Sequence, residues 1–157
     1  MSIRNMIAVA AAAAMSLSAG AVLAKTVHVT MHAKETTVKI DNKGTDYPAW
    51  TFDGTIPGPV VRVTEGDTVE FTLINDKENK NSHAMDFHAA TVDVLGEFAP
   101  IKPGESKKWS FEARYPGLFM YHCGAMPMQQ HIARGRYWGI SVYPKGWYTK
   151  AFPKPDR

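Results

Sequence analysis

Cys123, the only cysteine of the chain, directly follows His122, and His131 comes after it across Gly124-Ala125-Met126-Pro127-Met128-Gln129-Gln130. A thiolate is a soft ligand and imidazole a borderline one, and a set that mixes them suits copper. A lone cysteine cannot close an internal disulfide, which leaves a bridge to another chain, a free thiol or a metal ligand. The adjacent histidines favour the metal. The competing reading makes Cys123 a small buried residue and the histidines ordinary polar side chains.

Strand parity sorts the ligands. Residues 122 and 123 are consecutive, so on a regular strand their side chains leave opposite faces and one metal does not easily take both. His83 and His88 are an odd number of positions apart and also face opposite ways if their strand is unbroken. If the two strands are neighbours, His83 joins Cys123 on one side, His88 joins His122 on the other, and His131 completes the first group from its loop. A trigonal His83, Cys123 and His131 set has the donors of an electron-transfer copper: thiolate favours Cu(I), and imidazole tolerates both oxidation states. His88 and His122 make an incomplete second pair. It is either a metal site finished by water or a neighbouring chain, or two hydrogen-bonded histidines. Asp86 shares the face of His88 and is placed to orient an imidazole. His28 and His32, on one face of the first strand, are further candidates, although exposed strand histidines are commoner than ligands.

These side chains need a rigid frame, and the chain reads as strands with no convincing amphipathic helix. Thr26 to His32 alternates Val27, Val29 and Met31 with His28, Thr30 and His32, the period of a half-buried strand. A second strand is expected over Thr36 to Ile40, followed by turn chemistry at Asp41-Asn42-Lys43-Gly44. Val60 to Val63 follows the Pro57-Gly58-Pro59 punctuation, and Val69, Phe71 and Leu73 then alternate with Thr68, Glu70 and Thr72. After a polar loop over Asp76 to Ser82, strands are expected at His83 to Ala89, Lys107 to Ala113, Leu118 to Cys123 and Trp138 to Tyr143. Seven or eight short strands between turns predict an all-β fold, an antiparallel β-sandwich with Greek-key connections.

Residues 1–24 read as a cleaved secretory signal peptide: Arg4, an alanine-dominated apolar stretch, then Gly20-Ala21-Val22-Leu23-Ala24. Export to the periplasm is expected, with no later membrane span. Residues 25–144 then form one domain, and residues 145–157 a tail packed along it. The formal charge of +3 gives no case for nucleic acid.

Four stretches carry a family resemblance: Trp50-Thr51-Phe52-Asp53-Gly54-Thr55-Ile56-Pro57-Gly58-Pro59, Glu65-Gly66-Asp67, His83-Ala84-Met85-Asp86-Phe87-His88-Ala89-Ala90-Thr91 and Tyr121-His122-Cys123. From about Thr26 to Pro144 the chain resembles the cupredoxin domain of copper-containing nitrite reductases and related multicopper oxidases. The resemblance implies a type 1 copper held by His83, Cys123 and His131. It also implies that His88 and His122 contribute ligands to a type 2 copper at a subunit interface, and that Asp86 matches a proton-donating aspartate.

The sequence departs from that pattern in three places. The nitrite reductases have a second cupredoxin domain that supplies further histidines, whereas a single domain is expected here, which weakens the expectation of nitrite reduction. Val92-Asp93-Val94-Leu95-Gly96-Glu97-Phe98 stands where a glycine-rich segment is usual. Arg136 stands where a weak axial methionine is usual. A guanidinium is a poor ligand, so Arg136 is expected to turn outward and leave a three-coordinate site; a backbone carbonyl, Met126 or Met128 are other ways to fill the place. The expected function is a periplasmic electron carrier or copper-handling protein, with a redox protein or copper ions as partner. The alternatives are a copper-tolerance protein that binds or oxidises copper, and a homo-oligomeric nitrite reductase-like or oxidase-like enzyme.

Overall fold

The computed structural model of the chain describes residues 24–91, 94–97 and 99–145. The expectations for residues 1–24 and 145–157 lie outside these residues, except for Ala24 and Lys145. Among the described residues there are eight strands: β1 (Thr26–Lys39), β2 (Asp46–Phe52), β3 (Val61–Thr64), β4 (Thr68–Asn75), β5 (Asp86–Phe87), β6 (Ser106–Glu112), β7 (Gly117–His122) and β8 (Tyr137–Tyr143). They form two four-stranded sheets, ordered β2-β1-β4-β6 and β3-β8-β7-β5.

The all-β sandwich is as expected, and its pairing is mixed. β1 runs parallel to β4, and β3 parallel to β8, while the other pairs are antiparallel. Parallel partners need a crossover rather than a hairpin, and each of these pairs is far apart in the chain. The two strands expected before residue 41 are one. β1 lies against β4 over Thr26 to Ala33 and against β2 over Ala33 to Lys39, so the change of partner falls at Ala33 without a break.

β4 shows why the sheets close on each other. Val69, Phe71 and Leu73 are buried, while Thr68, Glu70 and Thr72 lie on the more open side, and opposite faces of a strand take alternate residues. Phe71 meets Trp109 of β6 at 4.8 Å and Phe87 of β5 at 4.9 Å between ring centroids, and Phe87 meets Tyr121 of β7 at 5.5 Å. Edge-to-face and tilted contacts of this kind add to the area they bury, and they tie the two sheets at the centre. The Tyr121 hydroxyl donates to the Pro59 carbonyl at 2.6 Å. A Cβ on Gly58 would lie 2.6 Å from the Tyr121 hydroxyl oxygen, so glycine is what the Pro57-Gly58-Pro59 run requires there.

Two local expectations are corrected. His83 to Ala89 is not a continuous strand: only Asp86–Phe87 pairs in β5, and His83 joins Ile101 in an isolated bridge. The segment bearing His131 is not open loop, because Met128–Ala133 forms a short helix after Pro127. Six residues are too few to display a helical hydrophobic period. Among the described residues no helix is long and apolar enough to cross a membrane.

Candidate metal centres

His83, Cys123 and His131 come together from three elements: the bridge after β4, the end of β7 and the short helix. Their ligand atoms lie within 4.8 Å of one another, and all three residues are buried. Nδ1 of His131 is 3.2 Å from Cys123 Sγ and 3.2 Å from Nδ1 of His83. The Ala84 N–H donates to the sulfur at 3.4 Å. His131 is only 3% exposed, so the set is closed to solvent on its side.

The opposite nitrogen of His83 is fixed from outside the set. Nε2 lies 3.1 Å from Oε1 of Glu35 on β1. The same carboxylate oxygen accepts from the Lys80 and Asn81 backbone N–H groups and from the Asn81 amide. A carboxylate behind an imidazole selects its tautomer and leaves the other nitrogen free for a metal. The loop that delivers His83 is pinned below by amides: Asn79 donates to the Ala33 carbonyl and to Asn75, which itself donates to the carbonyls of Asn81 and Ile101. Trp50 on β2 closes the site, its ring 4.7 Å from that of His131 and 5.6 Å from that of His83.

Arg136 is the main correction to the expected site. It does not turn outward: it is 0% exposed, and among the described residues Nε, Nη1 and Nη2 have no oxygen or nitrogen partner, the Cys123 side chain being the first group that attracts them. Its backbone carbonyl accepts from Cys123 N–H at 3.2 Å, and its own N–H donates to the His131 carbonyl at 3.3 Å. Its guanidinium lies over the Phe52 ring at 5.2 Å. Burial pulls the Arg136 pKa down to about 10, against the attraction of Cys123, Glu35 and Asp76. Burial first, and then the Arg136 charge, also press His83 down to about 3 and hold His131 below the usual histidine range. Burial acts to raise the Glu35 carboxyl, but hydrogen bonds from Asn81 and His83 outweigh it and keep it low. Met126 is 80% exposed and turned away from the set.

Asp86, His88 and His122 form a second cluster, again within 4.8 Å. Nε2 of His88 and Nε2 of His122 face each other at 3.0 Å. Nδ1 of His122 lies 3.1 Å from the Cys123 carbonyl and donates to it, which leaves Nε2 as the ligand nitrogen. The Asp86 carboxylate is 3.8 Å from His122 Nε2 and 4.0 Å from His88 Nε2, beyond direct hydrogen-bond reach. This cluster is open on one side: the His88 side chain is 45% exposed and that of His122 6%.

His28 and His32 do not join either group. They pair separately, His28 with Glu70 at 3.1 Å and His32 with Asp76 at 2.7 Å. Glu35 and Trp50 were not foreseen in the site. Trp50 sits in a quoted motif and so carried a signal; Glu35, one carboxylate in a polar run, carried none.

The residues over 32–146 match a protein-family model described as "Multicopper oxidase". The copper-containing nitrite reductase of Neisseria meningitidis (serogroup A / serotype 4A) is 44% identical over 132 residues, covering 83% of this chain and 33% of that protein. The chain thus spans about a third of the length of the curated relatives it matches. A solved copper nitrite reductase from Nitrosomonas europaea is 67% identical with a TM-score of 0.79, covering 84% of this chain and 46% of that one. A copper-containing nitrite reductase from Thermus scotoductus is 34% identical with a TM-score of 0.72, over 80% and 29% of the respective chains.

Proposed function

The chain belongs to the multicopper oxidase family, and on that premise we propose that it is a copper-binding cupredoxin unit of a nitrite reductase-like enzyme. In that reading His83, Cys123 and His131 would hold a type 1 copper and His88 and His122 would contribute ligands to a type 2 copper. The donor set fits: one thiolate with two imidazoles in an enclosed pocket for the first, and two imidazoles beside a carboxylate on an open face for the second. Bound copper would supply one-electron redox chemistry at the first set and a Lewis acid for an oxyanion at the second.

The observation that carries the proposal is that two adjacent residues serve two different clusters. Cys123 belongs to the buried set and His122 to the open one, and His122 Nδ1 is bonded to the Cys123 carbonyl. The covalent path between the sets is one peptide unit with its side chains. Asp86 stands near both open imidazoles without bonding either directly, a position suited to handing a proton to a bound oxyanion through a water. One electron and two protons convert nitrite to nitric oxide and water. Two imidazoles leave a copper short of ligands, so a neighbouring subunit is expected to complete the open site. Leu118 and Met120, 77% and 45% exposed, have the same strand parity as His122 and supply an apolar surface for that contact.

The leader pattern of residues 1–24 supports a periplasmic setting. The electron-carrier and copper-tolerance readings rest on the buried set alone, and the open set has no part in them. The test is to reduce the copper-loaded protein and add nitrite. Reoxidation with release of nitric oxide is expected in the wild type and absent in His88→Ala. A reduced protein that nitrite leaves unchanged, but that an oxidised redox protein reoxidises, would favour the carrier.

A further inference from the structure

We propose that Arg136 is a positioning residue that sets the oxidation preference of the buried copper: a fixed, non-ligating cation in the wall of the His83, Cys123 and His131 set. The inference rests on the copper reading of that set, and it goes beyond it in assigning the bias toward Cu(I) to one side chain.

Among the described residues Arg136 has the largest fully buried side chain, and none of its three guanidinium nitrogens has an oxygen or nitrogen hydrogen-bond partner. A buried cation without a counter-charge is strongly unfavourable. Phe52 offers a ring face at 5.2 Å, which relieves only part of that penalty. In the copper-loaded site the anion inside the same pocket would be the metal-bound thiolate of Cys123, the side chain that attracts Arg136 first. The backbone explains why the two stay together: Arg136 is hydrogen-bonded through its carbonyl to Cys123 and through its N–H to the His131 carbonyl, so its Cα cannot leave the ligands without breaking both contacts.

The consequence for copper is a matter of charge. Thiolate and guanidinium cancel, so Cu(I) leaves the pocket with one net positive charge and Cu(II) with two. In a water-poor site the second charge is the more strongly disfavoured. Glu35, hydrogen-bonded to the far nitrogen of His83, works in the opposite sense. It does so from behind the imidazole, and its effect is the same before and after a change at position 136.

The experiment uses the full chain loaded with copper and measures the reduction potential together with separate Cu(I) and Cu(II) affinities by chelator competition. Arg136→Leu removes the charge without adding a ligand, and Arg136→Gln removes it while keeping a polar group. Both are expected to bind Cu(II) more tightly and to shift the Cu(II)-to-Cu(I) preference toward Cu(II) at least tenfold, a fall of at least about 59 mV for a one-electron couple. A purely structural role would weaken both affinities and leave their ratio in place. If both variants keep the thiolate-to-copper absorption band with an unchanged or higher potential, the proposal is overturned alone. If the wild type has no band that Cys123→Ser removes, the ligand reading is overturned and the proposal falls with it.

Discussion

Glu35 and the two buried imidazoles make the site's chemistry depend on single groups. Glu35 braces His83 through one carboxylate oxygen that already accepts from Lys80 and Asn81. Glu35→Gln keeps an acceptor but deletes the charge, and partners of this kind are typically worth about 10- to 100-fold in metal affinity. A loss of Cu(II) affinity in that range is expected by chelator competition, and an unchanged affinity would mean that Glu35 only holds its loop. The histidines also set a pH dependence for the metal-free protein. Burial holds His83 at about 3, well below its unfolded value near 6.5, so the unfolded chain binds the proton first. Stability therefore rises with pH through this window. It is fully present above pH 6.5 and is lost as pH falls toward 3, at up to about 1.4 kcal/mol per pH unit for one such group. Urea unfolding of metal-free protein is expected to give a lower midpoint at pH 5 than at pH 7, and the difference should shrink in His83→Gln.

Among the elements, the short helix and the turn that ends it decide where His131 and Arg136 sit. Gly135 follows the helix with φ +115°, where a Cβ would strike the Ile56 side chain and come 3.2 Å from the Trp50 carbonyl. Gly135→Ala is expected to destabilise the fold by about 1–3 kcal/mol, measured as a lower denaturant midpoint with an unchanged slope. An unaltered midpoint would show that Ile56 yields freely. The elements were unequally legible in the sequence. β4 could be read from Val69, Phe71 and Leu73 because one of its faces meets the core and the other does not. β2 could not: Asp46–Phe52 contains Pro48, and its residues from Ala49 to Phe52 are all buried, so no alternation survives. The merger of two expected strands into β1 is fixed by its partners: β4, far along the chain, holds Thr26 to Ala33, and β2, just after the next turn, holds Ala33 to Lys39. Parity did sort His122 from Cys123, since that depends only on adjacency in a strand. The burial of Arg136 was not legible, because a guanidinium is ordinarily a surface group and only the three-dimensional packing of Phe52, Cys123 and His131 encloses it.

At the scale of the molecule, one sandwich presents a closed His83, Cys123 and His131 set on its inside and an open Asp86, His88 and His122 set on its outer face. The exposed apolar residues beside the open set predict self-association there. Leu118→Lys is expected to shift the copper-loaded protein toward monomer in sedimentation and to lose the second copper, with the buried site's absorption band intact; a monomeric wild type that holds both coppers would show that no second subunit is needed. Under the proposed function His122 and Cys123 belong to different metals. Copper content per chain, determined with the visible spectrum on wild type, His88→Ala and Cys123→Ser, tests this most directly. Two coppers are expected in the wild type, one in His88→Ala with the thiolate-to-copper band unchanged, and one in Cys123→Ser with the band gone. A single copper that His88→Ala leaves in place, or a band that survives Cys123→Ser, would contradict it.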